Sequence, residues 1–255
     1  MNIECDLTGR VAVVTGASSG IGEQTARAFA AAGSAVALVA RREDRLKAIA
    51  ADIRSSGGDA LVFPADVTDA EAVAAVAEAV RGELGTVGIV FNNAGIMLPG
   101  AARDLAGADT VRQVALNVTA LNTVVAVFAD QLVEAAGAQG TADLVNVASI
   151  AGRRPFPGFV AYSASKAYVV QLSATLRAEL GPKNVRVTAV EPGIVATELQ
   201  SHIQNEAIRD RLAGTRASID WLEAEDIAEL VTFTVSRPPR VSLPELPVLP
   251  TRQAS

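Results

Sequence analysis

Short apolar runs of four to six residues alternate along the chain with longer stretches whose apolar positions recur at helical spacing. The runs Val11 to Val14, Ala35 to Val39, Ala60 to Phe63, Val87 to Phe91, Asp143 to Val147 and Val185 to Val190 are mostly apolar on both faces. Successive side chains of a strand point to opposite sides, so such a run is stable only where both sides are covered. Between the runs lie Gly20 to Ala32, Glu43 to Ser55, Asp69 to Leu84, Arg103 to Ala136 and Ala161 to Leu180, all of helical length. This alternation predicts an α/β fold: a Rossmann-type doubly wound parallel sheet of about seven strands with helices on both faces. Right-handed crossovers then place the functional crevice at the carboxyl ends of the strands.

Two regions interrupt the alternation. Residues 191–222 follow the sixth strand without a strong period until a helix near Glu223, and are expected to form a substrate lid. Beyond Ser236, Pro238, Pro239, Pro244, Pro247 and Pro250 forbid a helix, so 237–255 is expected to be an extended cover or a final edge strand. The simplest organisation is a single domain over 1–255.

Composition narrows the function. Half of the 255 residues are hydrophobic and the net charge is only -6, which excludes a disordered chain. The acidic balance argues against nucleic acid as a partner. One cysteine, Cys5, permits no internal disulfide and no Cys-built zinc site, and one histidine, His202, excludes a multi-His site, so no metal is expected. Met1 to Arg10 lacks a basic-then-apolar signal pattern, and no run approaches the roughly 18 uninterrupted apolar residues of a membrane span. These features predict a cytoplasmic protein with no membrane partner.

Thr15-Gly16-Ala17-Ser18-Ser19-Gly20-Ile21-Gly22 joins the first strand to the first helix. Glycines there permit a tight turn and close approach of backbone N–H groups to a pyrophosphate at the helix N-terminus. A glycine-rich turn alone would be a weak signal; the strand before and helix after make it a dinucleotide signal. The second strand ends Ala40-Arg41-Arg42. Ala40 stands where an NAD site usually carries a carboxylate for the ribose, and Arg41 offers a planar donor fork for a 2′-phosphate, so NADP(H) is the expected cofactor. The alternative is that Arg41 and Arg42 merely open a solvated helix. Asp66-Val67 follows the third strand, where it would meet the adenine edge, and Asn92-Asn93-Ala94-Gly95 closes the fourth, where amides would tie neighbouring loops together.

Tyr162 and Lys166 are four residues apart on one helical face. A phenol with a reference pKa of about 10 is a poor acid–base group at neutral pH unless a neighbouring cation stabilises its phenolate. Lysine is rare here, 3 against 19 arginines, so its presence at this spacing carries weight. Ser149, at the end of the fifth strand, would meet the same carbonyl oxygen as Tyr162.

These motifs, in this order and spacing, resemble those of the short-chain dehydrogenase/reductases from roughly Leu7 to Arg237. The resemblance implies a catalytic tetrad of Asn117, Ser149, Tyr162 and Lys166. Tyr162 would protonate the carbonyl oxygen as hydride arrives, Ser149 would polarise it, Lys166 would hold the nicotinamide ribose and depress the tyrosine pKa, and Asn117 would anchor a water relay. Pro192, Gly193, Val195 and Thr197 would cradle the nicotinamide end. It also implies a homodimer or homotetramer built through the two long helices. Glu191-Pro192-Gly193, Thr197-Glu198-Leu199 and the proline-rich ending look most like an NADP(H)-dependent subgroup that includes clavulanic acid dehydrogenase.

Three departures from the family pattern stand out. Gly88 replaces an aspartate near the fourth strand, Ser18 and Ser19 replace a basic residue of the glycine loop, and the prolines replace a C-terminal Gly-Gly segment. The substrate pocket is expected to draw on Ile96 to Leu98 with Met97, on Ile150, Arg153, Phe156 and Phe159, and on Ile194 to about Asp220. That lining favours a hydrophobic or amphipathic carbonyl or alcohol, although Met97 and the phenylalanines would equally serve a core or subunit contact. His202 is expected on the lid or surface, and Trp221 as an anchor for the next helix. The reading is an NADPH-dependent carbonyl reductase; a redox sensor that binds NADP(H) without turnover is the alternative.

Overall fold

The computed structural model describes residues 5–203 and 206–253. The six apolar runs are strands β1 (Val11–Thr15), β2 (Ala35–Ala40), β3 (Asp59–Pro64), β4 (Val87–Asn92), β5 (Ala142–Val147) and β6 (Val185–Pro192). A seventh, β7 (Glu245–Val248), comes from the proline-rich segment. All pair in parallel in the order β3-β2-β1-β4-β5-β6-β7. The order reverses between β1 and β4, which opens a crevice at their carboxyl ends.

Helices α1 (Gly20–Ala31), α2 (Glu43–Ser55) and α3 (Ala70–Glu83) fall on their periodic stretches. Asp69 caps α3, its Oδ1 accepting from the N–H groups of Glu71 (3.0 Å) and Ala72 (3.2 Å). The stretch read as one helix from Arg103 to Ala136 is composite. A 3₁₀ turn at Ala102–Asp104 precedes α4 (Ala108–Val114), a wider π-helical winding spans Ala115–Ala120, and α5 (Leu121–Gln139) completes it. Then come α6 (Val160–Leu180), α7 (Glu206–Ser218) and α8 (Ala224–Val235). The period gave no sign of α7, because Ile208 and Leu212 are nearly its whole apolar stripe. His202 ends a 3₁₀ turn, Glu198–His202; its side chain lies outside the described residues.

Two cores flank the sheet. Val11 and Val13 of β1 face one, built with Val76 of α3, Phe128 and Leu132 of α5 and Val169 of α6. Ala12 and Val14 face the other, with Phe29 of α1, Ile49 of α2 and Ile227 and Val231 of α8. Phe29 meets Phe91 edge-on, centroids 6.3 Å apart. The winding from Ala108 to Gln139 is long and apolar enough to cross a membrane, yet Leu121, Val124, Phe128 and Leu132 are buried in the first core.

Beneath the sheet, Asp143 of β5 binds two arginines. Arg186 reaches it through Nε and Nη2 at 2.8 and 2.9 Å, and Arg10 through Nη2 at 2.7 Å. Both guanidiniums also donate to the carbonyl of Val235 at the end of α8. Gly88 bulges where β4 shifts register against β1 and gives its carbonyl to Arg10 at 2.9 Å. With glycine in place of the aspartate at Gly88, Asp143 supplies the carboxylate for Arg10 Nη2, while Arg10 Nε, 3.8 Å from where a Cβ on Gly88 would stand, is buried without a hydrogen-bond partner among the described residues. Asp143→Ala would strand two largely buried cations, and we expect a stability loss of roughly 3–5 kcal/mol. By calorimetry this lowers Tm by roughly 10 °C; an unchanged Tm would show that carbonyl acceptors alone suffice.

Candidate active site

The crevice is one cavity of about 870 Å3. It crosses the strand ends from β3 and β2 to β5 and β6, five inter-strand steps of about 4.8 Å, or roughly 24 Å. Gly16, Ser18, Ser19, Gly20 and Ile21 line it, with Arg41, Arg42, Asp66, Val67, Asn93, Ala94 and Gly95. So do Ser149, Tyr162, Lys166, Pro192, Gly193, Val195 and Thr197, and the apolar Met97, Ile150, Phe156, Phe159 and Ile194. Gly22 and Asn117 are buried behind the wall.

The glycine loop is locked to the end of β4. Asn93 donates from Nδ2 to the Thr15 carbonyl at 3.0 Å, and the N–H groups of Asn93 and Ala94 converge on Thr15 Oγ1 at 2.9 and 3.1 Å. A Cβ on Gly16 would stand 2.8 Å from Asn93 Nδ2, and one on Gly22 would meet both the Gly16 carbonyl and, at 2.6 Å, the same amide, so side chains are excluded at both positions. Gly16 also turns through φ +67°, a left-handed conformation that glycine adopts without strain.

Arg42 spans the loop's two serines. Its Nε and Nη2 donate to Ser18 Oγ at 3.0 and 2.9 Å, and Nη2 reaches Ser19 Oγ at 2.7 Å. The cation missing from the loop sequence is thus supplied by Arg42, the second residue after β2. On its other side Nη1 meets Glu198, which opens the 3₁₀ turn Glu198–His202, at 2.8 Å, and Arg45 meets the same carboxylate at 2.6 Å. The two guanidiniums hold Glu198 down to about 2. Arg41 is more exposed than Arg42, at 74%, and its Nη1 pairs with Asp66 Oδ2 at 3.7 Å.

Ser149, Tyr162 and Lys166 meet beyond β5. Ser149 Oγ accepts from the Ala151 N–H at 3.2 Å, approaches the Pro192 carbonyl at 3.3 Å and hydrogen-bonds the Tyr162 phenol. Lys166 donates from Nζ to the Val147 carbonyl at 2.7 Å and stands 5.8 Å from the Tyr162 ring centroid. The expected acidification of the tyrosine by this cation is not the balance found. Burial pushes the phenol up to about 12 against the opposing Ser149 hydrogen bond, and burial pushes Lys166 down to about 8. A carbonyl oxygen, rather than the phenol, is the lysine's direct partner.

The π-helical winding turns Asn117 inward, where Oδ1 accepts from the Ile96 N–H and Nδ2 donates to the Ile96 carbonyl, both at 2.9 Å. Its Nδ2 also reaches Ser165 Oγ at 3.2 Å. Asn117 and Lys166 face each other across Gly95, whose Cβ position would lie 3.2 Å from Asn117 Oδ1 and 3.7 Å from Lys166 Nζ. Arg153 is not in the pocket. Buried Glu191 draws it away through Nε and through Nη2 at 2.8 Å, and Glu245 of β7 binds it at 2.6 Å. Sequence reasoning missed Gln253, which lines the cavity, and gave no role to Glu198.

Residues 10–207 match the short chain dehydrogenase family. The chain belongs to this family. It is 36% identical over 252 residues to sulfoacetaldehyde reductase 2 of Chromohalobacter salexigens, covering 96% of this chain and 95% of that one. A sulfoacetaldehyde reductase from the same organism is 39% identical over 245 residues, 94% of each chain. The crystal structure of a 3-ketoacyl-(acyl-carrier-protein) reductase from Brucella melitensis, complexed with NADH, superposes with a TM-score of 0.86 at 31% identity, covering 98% of this chain and 100% of that one. As a short-chain dehydrogenase the chain is an oxidoreductase that uses a nicotinamide cofactor to interconvert alcohols and carbonyl compounds. The cavity fits such a group: a glycine-rich turn opens α1 at its wall, and the exposed guanidinium of Arg41 stands across the sheet from a buried phenol.

The buried lysine has a measurable signature in this short-chain dehydrogenase. Between pH 8 and 10.5 the unfolded chain keeps a lysine proton that the folded chain has released, so stability rises with pH across that window. Replacing it in Lys166→Met should remove that rise. The stability difference between parent and variant, from urea unfolding at a series of pH values, should change by on the order of 3 kcal/mol over the window. A constant difference would contradict the burial of a charged lysine.

Proposed function

We propose that the chain is an NADPH-dependent carbonyl reductase in which Tyr162 is the general acid, and the base in reverse alcohol oxidation. The observation that carries this reading is a buried phenol beside Ser149 and Lys166, in one cavity with Arg41, which directly follows Ala40, the position where an NAD site would hold a carboxylate. Bound nicotinamide would supply hydride to the carbonyl carbon. Tyr162 donates its phenolic proton to the carbonyl oxygen as negative charge develops there, which completes the alcohol. Its pKa of about 12 keeps the proton in place at neutral pH until an alkoxide-like oxygen takes it. Ser149 donates a hydrogen bond to the same oxygen, and Lys166 stabilises the resulting phenolate. Asn117 holds the loop after β4 against this helix and anchors the proton path to Lys166.

Gly16 to Gly22 would receive the pyrophosphate, Asp66 and Val67 the adenine, and Arg41 with Arg42 the 2′-phosphate. Ala40 leaves the end of β2 without the carboxylate that would repel this phosphate. Met97, Ile150, Phe156, Phe159, Ile194 and Leu212 suit a hydrophobic or amphipathic substrate. The sulfoacetaldehyde reductases are named for a small anionic aldehyde; here Arg153 is committed to carboxylates, and Arg112 at the cavity wall is 3.4 Å from Asp109. Segment 191–222 would act as lid. Exposed Val111 and Val114 of α4 and Val160 and Tyr168 of α6 offer apolar surface for a homodimer or homotetramer. A single thiol, Cys5, suits a reducing cytoplasmic setting.

Two experiments test the assignment. Against a panel of ketones and aldehydes, Tyr162→Phe should lose about 10²–10⁴ in kcat while still binding NADPH; equal rates would remove Tyr162 from the mechanism. Tight NADPH binding by the parent without turnover on any substrate would favour a redox sensor. In Arg41→Asp, the ratio of kcat/KM for NADPH over NADH should fall by at least about tenfold through charge reversal. An unchanged ratio would move phosphate recognition elsewhere.

A further inference from the structure

We infer that Gln253 is a positioning residue for the nicotinamide end of the cofactor, an inference that rests on the functional reading above. Beyond β6 the chain leaves Pro192 as Gly193-Ile194-Val195-Ala196, and this segment forms the cavity wall. Its backbone is held from two sides. The Gly193 N–H donates to the Val248 carbonyl of β7 at 2.7 Å, while Ile194 and Ala196 exchange hydrogen bonds with Leu222 at 3.1 and 2.8 Å. The Ile194 N–H is held by a side chain: it donates to Gln253 Oε1 at 3.0 Å.

Gln253 reaches that point through a defined turn, its own N–H donating to the Pro250 carbonyl at 2.9 Å. The approach is close. A Cβ on Gly193 would collide with Gln253 Oε1 and stand 3.1 Å from Pro250 Cδ, so the absence of a side chain at Gly193 makes room for this amide. Gln253 itself lines the same cavity as Tyr162 and Ser149. The proline-rich segment is therefore more than a sheet edge. It carries an acceptor across β6 and fixes the backbone against which the nicotinamide end would rest. The segment's own anchor is Glu245, bound to Arg153 in the turn after Ser149. Losing the acceptor leaves the Ile194 N–H unpartnered and the wall free to shift at the nicotinamide end, while the adenosine end, built from α1, β2 and β3, is untouched.

The test uses the full chain and two ligands, NADPH and 2′-phospho-ADP-ribose, which lacks nicotinamide. Gln253→Met keeps the length of the side chain and removes the acceptor; Gln253→Glu restores an acceptor. In titration calorimetry Gln253→Met should weaken NADPH by about tenfold, the effect of one lost partly buried hydrogen bond, and leave 2′-phospho-ADP-ribose unchanged. Gln253→Glu should regain most of the NADPH affinity. Gly193→Ala, which pushes the amide aside, should show the same ligand selectivity as Gln253→Met. Parent-like NADPH binding by Gln253→Met, or equal weakening of both ligands, would overturn this inference alone. A parent protein that takes neither ligand would overturn the functional reading and the inference together.

Discussion

Covering both faces of a parallel sheet leaves the strand ends as the places where polar groups can gather, and that constraint governs this molecule. Apolar side chains on both sides of β1, β4 and β5 pack against six helices, so the sheet interior offers no room for chemistry. At the point where strand order reverses, β1 and β4 diverge into different crossovers, and Asn93 bridges the gap by binding Thr15 and excluding side chains from the glycine loop. The cavity is what remains between those crossovers. Its two ends differ in chemistry because they are reached from opposite sides of the reversal: arginines from β2, a phenol and an ammonium from the helix after β5.

The arginines illustrate how one residue type is put to different uses by its acidic neighbours. Below the sheet, Asp143 gathers Arg10 and Arg186 into a buried knot that also captures the last carbonyls of α8. At the side, Glu191 and Glu245 hold Arg153 and thereby fix the turn after Ser149 to the sheet edge. Above, Glu198 binds Arg42 and Arg45 and so ties the turn Glu198–His202 to the start of α2. Arg41, 74% exposed at the cavity rim, has the looser partner Asp66 at 3.7 Å. The buried pairs at Asp143 are costly to break, whereas the exposed pairs at Glu198 contribute little to stability.

Much of this was legible from residue order. Apolar runs located six strands because complete burial leaves a continuous hydrophobic signature, and Glu43–Ser55 matched its helix at both ends. The glycine loop, the Asn93 segment and the Tyr162–Lys166 pair were legible because each depends on local spacing. What escaped depends on distant partners. Arg153 follows Ser149 closely enough to suggest the pocket, but a carboxylate 38 positions on reclaims it. The π-helical winding around Asn117 and the helix Glu206–Ser218 carry no periodic mark, since one is set by packing against the loop after β4 and the other by two apolar side chains. Gln253 was invisible because its meaning lies in a hydrogen bond spanning 59 residues. The electrostatic balance of Tyr162 was likewise hidden, for burial of the phenol outweighs what spacing alone implies.

The outermost strand shows a further consequence of the prolines. Pro244, just before β7, and Leu246 and Val248 within it turn their backbone groups toward β6, as the bonds to Ala189 and Gly193 record. Residues between them point the other way along a parallel strand. Pro247 is one of these, so the open rim lacks an amide donor where an incoming strand would seek one. The same substitution that ends the helical pattern thereby blunts the margin against stray self-association and fibre growth.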